Sequence, residues 1–168
     1  PGPAWMISGS MGQVYFEDVN EGEEIPHLKK NCSTQQLVLW AAGSGDFYQI
    51  HYDKDFAQAT GLKGLIVHGA LKNAFLRQLL HDWVGEQGQI RRFGCSYRGM
   101  DEPNQDILCR GVVKKKYSEG GKHYVEPRGG ADRPGTGPAG ETCGSCKHHV
   151  VRRYAKAYHK CDLTGKQI

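Results

Sequence analysis

The chain has 168 residues and a formal net charge of +4, with 38% apolar and 10% aromatic residues. That length suits one domain of ordinary size or a small domain with an appendage, and the apolar content suffices for a core if it is concentrated. No run approaches the roughly 18 apolar residues of a membrane-spanning helix, and Pro1 to Ser10 lacks the basic start and apolar stretch of a signal peptide, so a soluble, cytoplasmic protein is expected.

Residues 1–11 read as an unstructured leader. Val14, Phe16 and the acidic stretch Glu21-Gly22-Glu23 predict a short extended segment and a turn. Ser33 followed by Gln36 has the spacing of a capping box, which opens a short helix through Leu37, Trp40 and Ala41. Glycines at 43, 45, 61 and 64 then mark a loop-rich region, with a weaker helix signal from Lys54 to Thr60. The clearest helix runs from Ala70 to Val84. There Leu71, Ala74, Phe75, Leu79, Leu80 and Trp83 recur at three- and four-residue spacing, and Gly85 is placed to end it.

Beyond it, Phe93, Cys95 and Tyr97 alternate with polar residues in a strand-like way. Glu102-Pro103-Asn104 marks a turn, Ile107 to Tyr117 a long strand, and His123 to Val125 a third one. One long helix followed by hairpin-connected strands is an α+β pattern. From Pro127 to Gly140 more than half the residues are Gly or Pro, which predicts a flexible linker. Residues 141–168 then form a short basic tail. Of the six cysteines, Cys32, Cys95 and Cys109 are scattered singly, as buried free thiols are, while Cys143, Cys146 and Cys161 cluster in the tail. A reduced, intracellular setting accounts for both groups.

The informative stretch is Gly45-Asp46-Phe47-Tyr48-Gln49-Ile50-His51. A carboxylate and an imidazole at this spacing, in a glycine-edged loop, can converge on one water molecule and supply a general base and a general acid. Taken alone, the same pair reads more readily as a capping Asp and a surface His.

The segment resembles the signature of MaoC-like hydratases, in which Gly-Asp, a variable residue, Asn-Pro, an aliphatic residue and His precede an alanine or serine. Gly45, Asp46, Ile50, His51 and Ala57 match it in order and spacing. Similarity continues in Val14-Tyr15-Phe16-Glu17-Asp18-Val19, in Tyr52 to Ala57, in Gly64-Leu65-Ile66-Val67-His68-Gly69 and in Tyr97-Arg98-Gly99, so the resembling region covers residues 12–117 within a domain of residues 12–126. The resemblance implies a hot-dog fold, a curved antiparallel sheet wrapped on a long central helix. It implies a homodimer, or a heterodimer with another hot-dog subunit, with acyl-CoA or acyl-ACP in a tunnel near the interface.

The implied reaction is hydration of a trans-2-enoyl-CoA to the (R)-3-hydroxyacyl-CoA, or its reverse, with no cofactor in catalysis. Asp46 and His51 would be the catalytic pair, and the backbone N–H of Gly69 would face the thioester oxygen. Tyr48, Ile50, Val67 and His68 would contact substrate, although His68, beside Gly69, reads first as a helix-start or packing residue. The alternative is a non-catalytic acyl-CoA-binding hot-dog subunit that pairs with an active homologue. Two features depart from the family pattern. Tyr48-Gln49 stands where Asn-Pro is usual, and the linker stands where one or two further strands complete the sheet.

Four other features carry weaker signals. His27, His81 and His123 read as surface residues. Lys114-Lys115-Lys116 could meet CoA phosphates or simply be an exposed strand end. In the tail, Cys143, Cys146, His149 and Cys161 have the residue types and part of the spacing of a structural zinc site, and a thiol-bearing tail without metal or a redox Cys-x2-Cys explains them too. Basic residues from Arg152 to Lys160 around Tyr154 and Tyr158 would suit phosphate contacts, but a solvated basic helix accounts for the same residues, and nucleic acid is not expected as a partner.

Overall fold

The computed structural model describes residues 14–97 and 99–132, together with the backbone of Cys161 and Asp162. The leader, most of the linker, and the tail side chains named for zinc (Cys143, Cys146, His149, Cys161) lie outside the described residues.

Three helices and five strands make up the described chain. Helix α1 spans Thr34–Ser44 and begins as its capping serine predicts, since Ser33 Oγ accepts from the Gln36 N–H at 3.2 Å. It ends at Gly45, which turns the chain at φ 77°. Helix α2, Lys54–Ala59, is capped by Asp53, whose Oδ1 accepts from the Phe56 N–H at 3.0 Å. Helix α3, Gly69–Val84, is the long one, and it buries Leu71, Phe75, Leu79, Leu80, Trp83 and Val84. Each such side chain contributes about 1.5–3 kcal/mol of transfer free energy, so this face anchors the fold.

The strands are β1 (Glu24–Asn31), β2 (Gln89–Ile90), β3 (Asp106–Glu119), β4 (Lys122–Asp132) and β5 (Cys161–Asp162). They form one antiparallel sheet in the order β1-β3-β4-β5-β2. Along β3 the inward residues alternate, with Ile107, Cys109, Gly111 and Val113 buried. They join Ile25, Leu37, Val125 and the buried face of α3 in one core, and α3 packs against β1 to β4.

Four expectations are corrected. The extended segment stops short of Phe16: Tyr15 is extended, but Phe16–Asp18 is a 3-10 turn. Strand β1 is new, hidden in the sequence by its charges and by Pro26. Both are tolerated because β1 is an edge strand whose pairing with β3 slips between Ile25 and Leu28, around the proline. The alternating segment Phe93 to Tyr97 belongs to no strand. It runs instead toward the start of α3, where Lys72 Nζ donates to the Gly99 carbonyl at 2.6 Å.

The linker, finally, begins later than its composition implies, because β4 continues from Pro127 to Asp132 opposite Leu108 to Val113. Ladder pairing needs backbone groups rather than apolar side chains. Pro127 lies beside the register shift between Val113 and Lys115, and a Cβ at Gly129 would collide with the Arg110 carbonyl oxygen, so glycine permits the close approach of the two strands here. These six residues supply part of the pairing that the sequence seemed to lack. Among the described residues, no helix is long and apolar enough to cross a membrane.

Candidate active site

Asp46 follows the αL turn at Gly45 and is exposed. Its loop is braced locally. The Asp46 N–H donates to Ser44 Oγ at 3.3 Å, the Tyr48 N–H donates to Asp46 Oδ1 at 3.4 Å, and the Tyr52 phenol donates to the Phe47 carbonyl at 3.1 Å. Gln49 then opens a 3-10 turn through His51. The first residue of such a turn is where a proline's missing N–H costs nothing, so Gln49 supports the same backbone as the proline it replaces. Tyr48 is 54% exposed, with its ring edge-on to both His51 and Phe56.

His51 is 7% exposed and its orientation is set by the chain 15 residues on. The Nδ1–H donates to the Ile66 carbonyl at 2.7 Å, and the Ile66 N–H donates back to the Ile50 carbonyl at 3.2 Å. A carbonyl can only accept, so the neutral ring carries its proton on Nδ1 and keeps Nε2 as a free acceptor. The segment that fixes it is itself fixed, because the Val67 N–H donates to the Asp101 carbonyl at 2.7 Å. The Asp101 carboxylate in turn pairs with Lys72 Nζ at 2.7 Å, both side chains being 12% exposed.

Below His51 lies His68, which is fully buried. The two rings stack with centroids 3.7 Å apart and planes 22° apart. The His68 Nε2–H donates to the Asp46 carbonyl at 3.3 Å, while its Nδ1 is buried with no partner among the described residues. Burial, and then the neighbouring His51, hold the His68 imidazole below the ordinary histidine range against the pull of Asp46, so it is neutral at pH 7. An unpaired buried acceptor costs about 1–3 kcal/mol, which an apolar ring in the same place would avoid.

One ligand-type atom each from Asp46, His51 and His68 lies within 4.8 Å of the others. The near-parallel stack sets the imidazole lone pairs side by side rather than converging on one point, so the trio does not fit a tetrahedral metal. It fits a carboxylate and a neutral imidazole sharing one water or one proton in transit.

Gly69 is the first residue of α3, and the first helical hydrogen bond is donated beyond it, by Leu71 to the His68 carbonyl at 3.1 Å. Its N–H therefore sits at the positive end of a 16-residue helix, next to the stacked imidazoles. An added Cβ would stand 3.1 Å from two carbons of the Tyr97 ring, so a side chain here requires that ring to shift by a few tenths of an ångström. The Tyr97 phenol reaches Cys95 and Asn73, and burial raises its pKa.

The structure thus brings together Asp46, His51, His68 and the start of α3. Of the expected substrate contacts, Tyr48 faces solvent beside the pair and Ile50 is half-buried in the turn. The Val67 side chain is 3% exposed within the core, and its N–H is occupied by the Asp101 carbonyl. Lys116 also serves the fold, donating to the Val19 carbonyl at 2.8 Å over the Phe16 ring, whereas Lys114 and Lys115 are exposed. His123 stacks on Phe16 rather than standing free in solvent. Burial raises the Cys32 thiol, an effect that suits a packing residue rather than a nucleophile. Tyr97 is the neighbour that sequence reasoning did not single out; its only signal was its place in the Tyr97-Arg98-Gly99 match.

Comparison with known proteins gives the family and the fold. Residues 18–131 match the family described as the MaoC like domain. The chain is 38% identical over 107 residues to an (R)-specific enoyl-CoA hydratase of Rhodospirillum rubrum, a match spanning 61% of this chain and 74% of that protein. It is 37% identical over 106 residues to the fatty acid synthase beta subunit TOXC of Cochliobolus carbonum, of whose length it spans only 5%. Its fold is similar to that of R-hydratase PhaJ1 from Pseudomonas aeruginosa, with a TM-score of 0.64, 18% identity, and coverage of 76% of this chain and 80% of that one. The α+β arrangement of sheet and long helix is a hot-dog fold, and the chain belongs to the MaoC-like dehydratase family.

Proposed function

We propose that this chain catalyses reversible hydration of a trans-2-enoyl thioester to the (R)-3-hydroxyacyl thioester, with CoA or acyl carrier protein as the handle. The observation that carries the reading is the prepared state of His51. Its Nδ1–H is committed to Ile66 at 2.7 Å, leaving Nε2 as an acceptor beside the Asp46 carboxylate.

In hydration, the Asp46 carboxylate and His51 Nε2 hold one water by its two hydrogens. As the water oxygen bonds to C3, His51 takes a proton, and the C2=C3 electrons move toward the thioester carbonyl. The enolate oxygen so formed is met by the Gly69 N–H at the head of α3. The proton held by the pair then passes to C2, restoring the thioester and the resting pair. Dehydration runs the same steps backwards. No redox change occurs and no cofactor is consumed. The exposed aromatic residues Phe47, Tyr48 and Tyr52 around Asp46 suit a site closed by a second hot-dog subunit, either a copy of this chain or a different one.

The test is to follow the loss of enoyl absorbance from crotonyl-CoA and a longer enoyl-CoA, with chiral analysis of the alcohol. Turnover to the (R)-alcohol supports the reading; turnover to the (S)-alcohol, or none with the folded protein, refutes it.

A further inference from the structure

His68 is buried directly beneath a catalytic imidazole, and nothing in the proposed chemistry uses it. Its position as the residue preceding α3 does not explain it, because its side chain makes no capping hydrogen bond. Space-filling does not explain it either, because an apolar ring would fill the same volume without stranding Nδ1. The two features that distinguish an imidazole here are a flat polar face and an Nε2–H, and both end on the catalytic pair.

We propose that His68 is a positioning residue: its ring is the surface that fixes the plane of His51, and its Nε2–H ties the Asp46 backbone to the head of α3. The Nδ1 hydrogen bond to Ile66 and the edge-on Tyr48 ring hold the margin of His51. The stack at 3.7 Å supports its face, which neither of those contacts does. The other described hydrogen bonds of residues 45–48 stay within residues 41–52, while Ile50 and His51 are tied to Ile66, and the His68 bond joins Asp46 to the residue that precedes α3. The same side chain therefore sets both members of the pair against one rigid element. A displacement of about 1 Å in such a pair is enough to cost about 10²-fold in rate.

The activity part of this inference rests on the hydratase reading; the structural part does not. The test uses His68→Phe, which keeps a flat ring and loses the donor, and His68→Gln, whose amide can reach the Asp46 carbonyl without a ring. For His68→Phe the expected result is a fall in kcat of about 10–100-fold, with KM within about twofold and Tm equal to or above wild type. His68→Gln should recover part of that kcat despite a lower Tm. Amide exchange at Tyr48 and His51, measured by NMR, should speed up at least about tenfold in His68→Phe and less in His68→Gln.

A kcat for His68→Phe that is unchanged, or rate losses in both variants that merely track Tm, would overturn the proposal. If the wild type does not turn over, the hydratase reading fails and the exchange data decide alone. Faster exchange in His68→Phe than in His68→Gln then supports the tie to Asp46, and equal exchange overturns it.

Discussion

His51 and Asp46 stand side by side but are held in opposite ways. His51 is 7% exposed, stacked on a buried ring and bonded to a segment that Asp101 and Lys72 lock to α3. Asp46 is exposed, in a loop braced by side chain–backbone bonds of 3.1–3.4 Å and edged by solvent-facing aromatics. One half of the site is therefore specified by packing and the other by local polar geometry. Substitutions on the α3 side should register in stability first, and those on the loop side in turnover first.

The sharpest way to break that distinction is at the pair itself. Asp46→Asn should lower kcat by about 10²–10⁴-fold while leaving Tm within a degree or two, because an exposed carboxylate supports little of the fold. Comparable loss of stability and activity would contradict the loop-side account. Next comes Lys72→Met, which takes from the Asp101 carboxylate its ion-pair partner at 2.7 Å, both side chains being 12% exposed. Breaking one side of a buried pair costs about 3–5 kcal/mol, read as a lower urea midpoint at constant slope, and Asp101→Asn added to it should return part of the loss.

Core packing offers a matched comparison. Phe75→Ala removes a ring that is 5% exposed and should cost about 3–5 kcal/mol, whereas Phe47→Ala, at 58% exposure, should cost about 0.5 kcal/mol or less. If Phe47→Ala nevertheless raises KM, the aromatic rim contacts substrate.

The smallest effect concerns pH. His68 takes up its proton only below the ordinary histidine value in the folded chain, but at that value in the unfolded one. Between the two, the unfolded state binds more protons, so stability falls as pH drops through this window. Denaturant midpoints at pH 7 and pH 5 should diverge for the wild type and converge for His68→Phe; an unchanged pH slope in that variant would assign the loss to other groups.

Much of this was legible in the sequence where a residue type has one physical job. The Ser33 cap, the stripe on α3 and the glycine that ends α3 at position 85 all declare themselves locally. Asp46 and His51 were singled out by the resemblance, and the fold brings their side chains together. What stayed hidden depends on tertiary contact. Strand β1 carries charges that only an edge position allows. Residues 127–132 look like linker until their ladder with β3 is seen, and Gly129 makes sense only against Arg110. The burial of Val67 in the core, two residues before α3, has no local mark in the sequence either. The burial of His68 under His51 arises from residues 17 positions apart, and no local pattern marks it.

The central claim is that Asp46 and His51 act together on an enoyl thioester rather than merely lining a binding site. Its most direct test measures turnover and binding in one preparation of wild type and of Asp46→Asn, using crotonyl-CoA. The account predicts rapid loss of enoyl absorbance with the wild type, and binding within about threefold of wild type but no detectable turnover for the variant. Tight binding by a folded wild type that never converts the thioester would contradict it, and would identify the chain as the non-catalytic member of a pair.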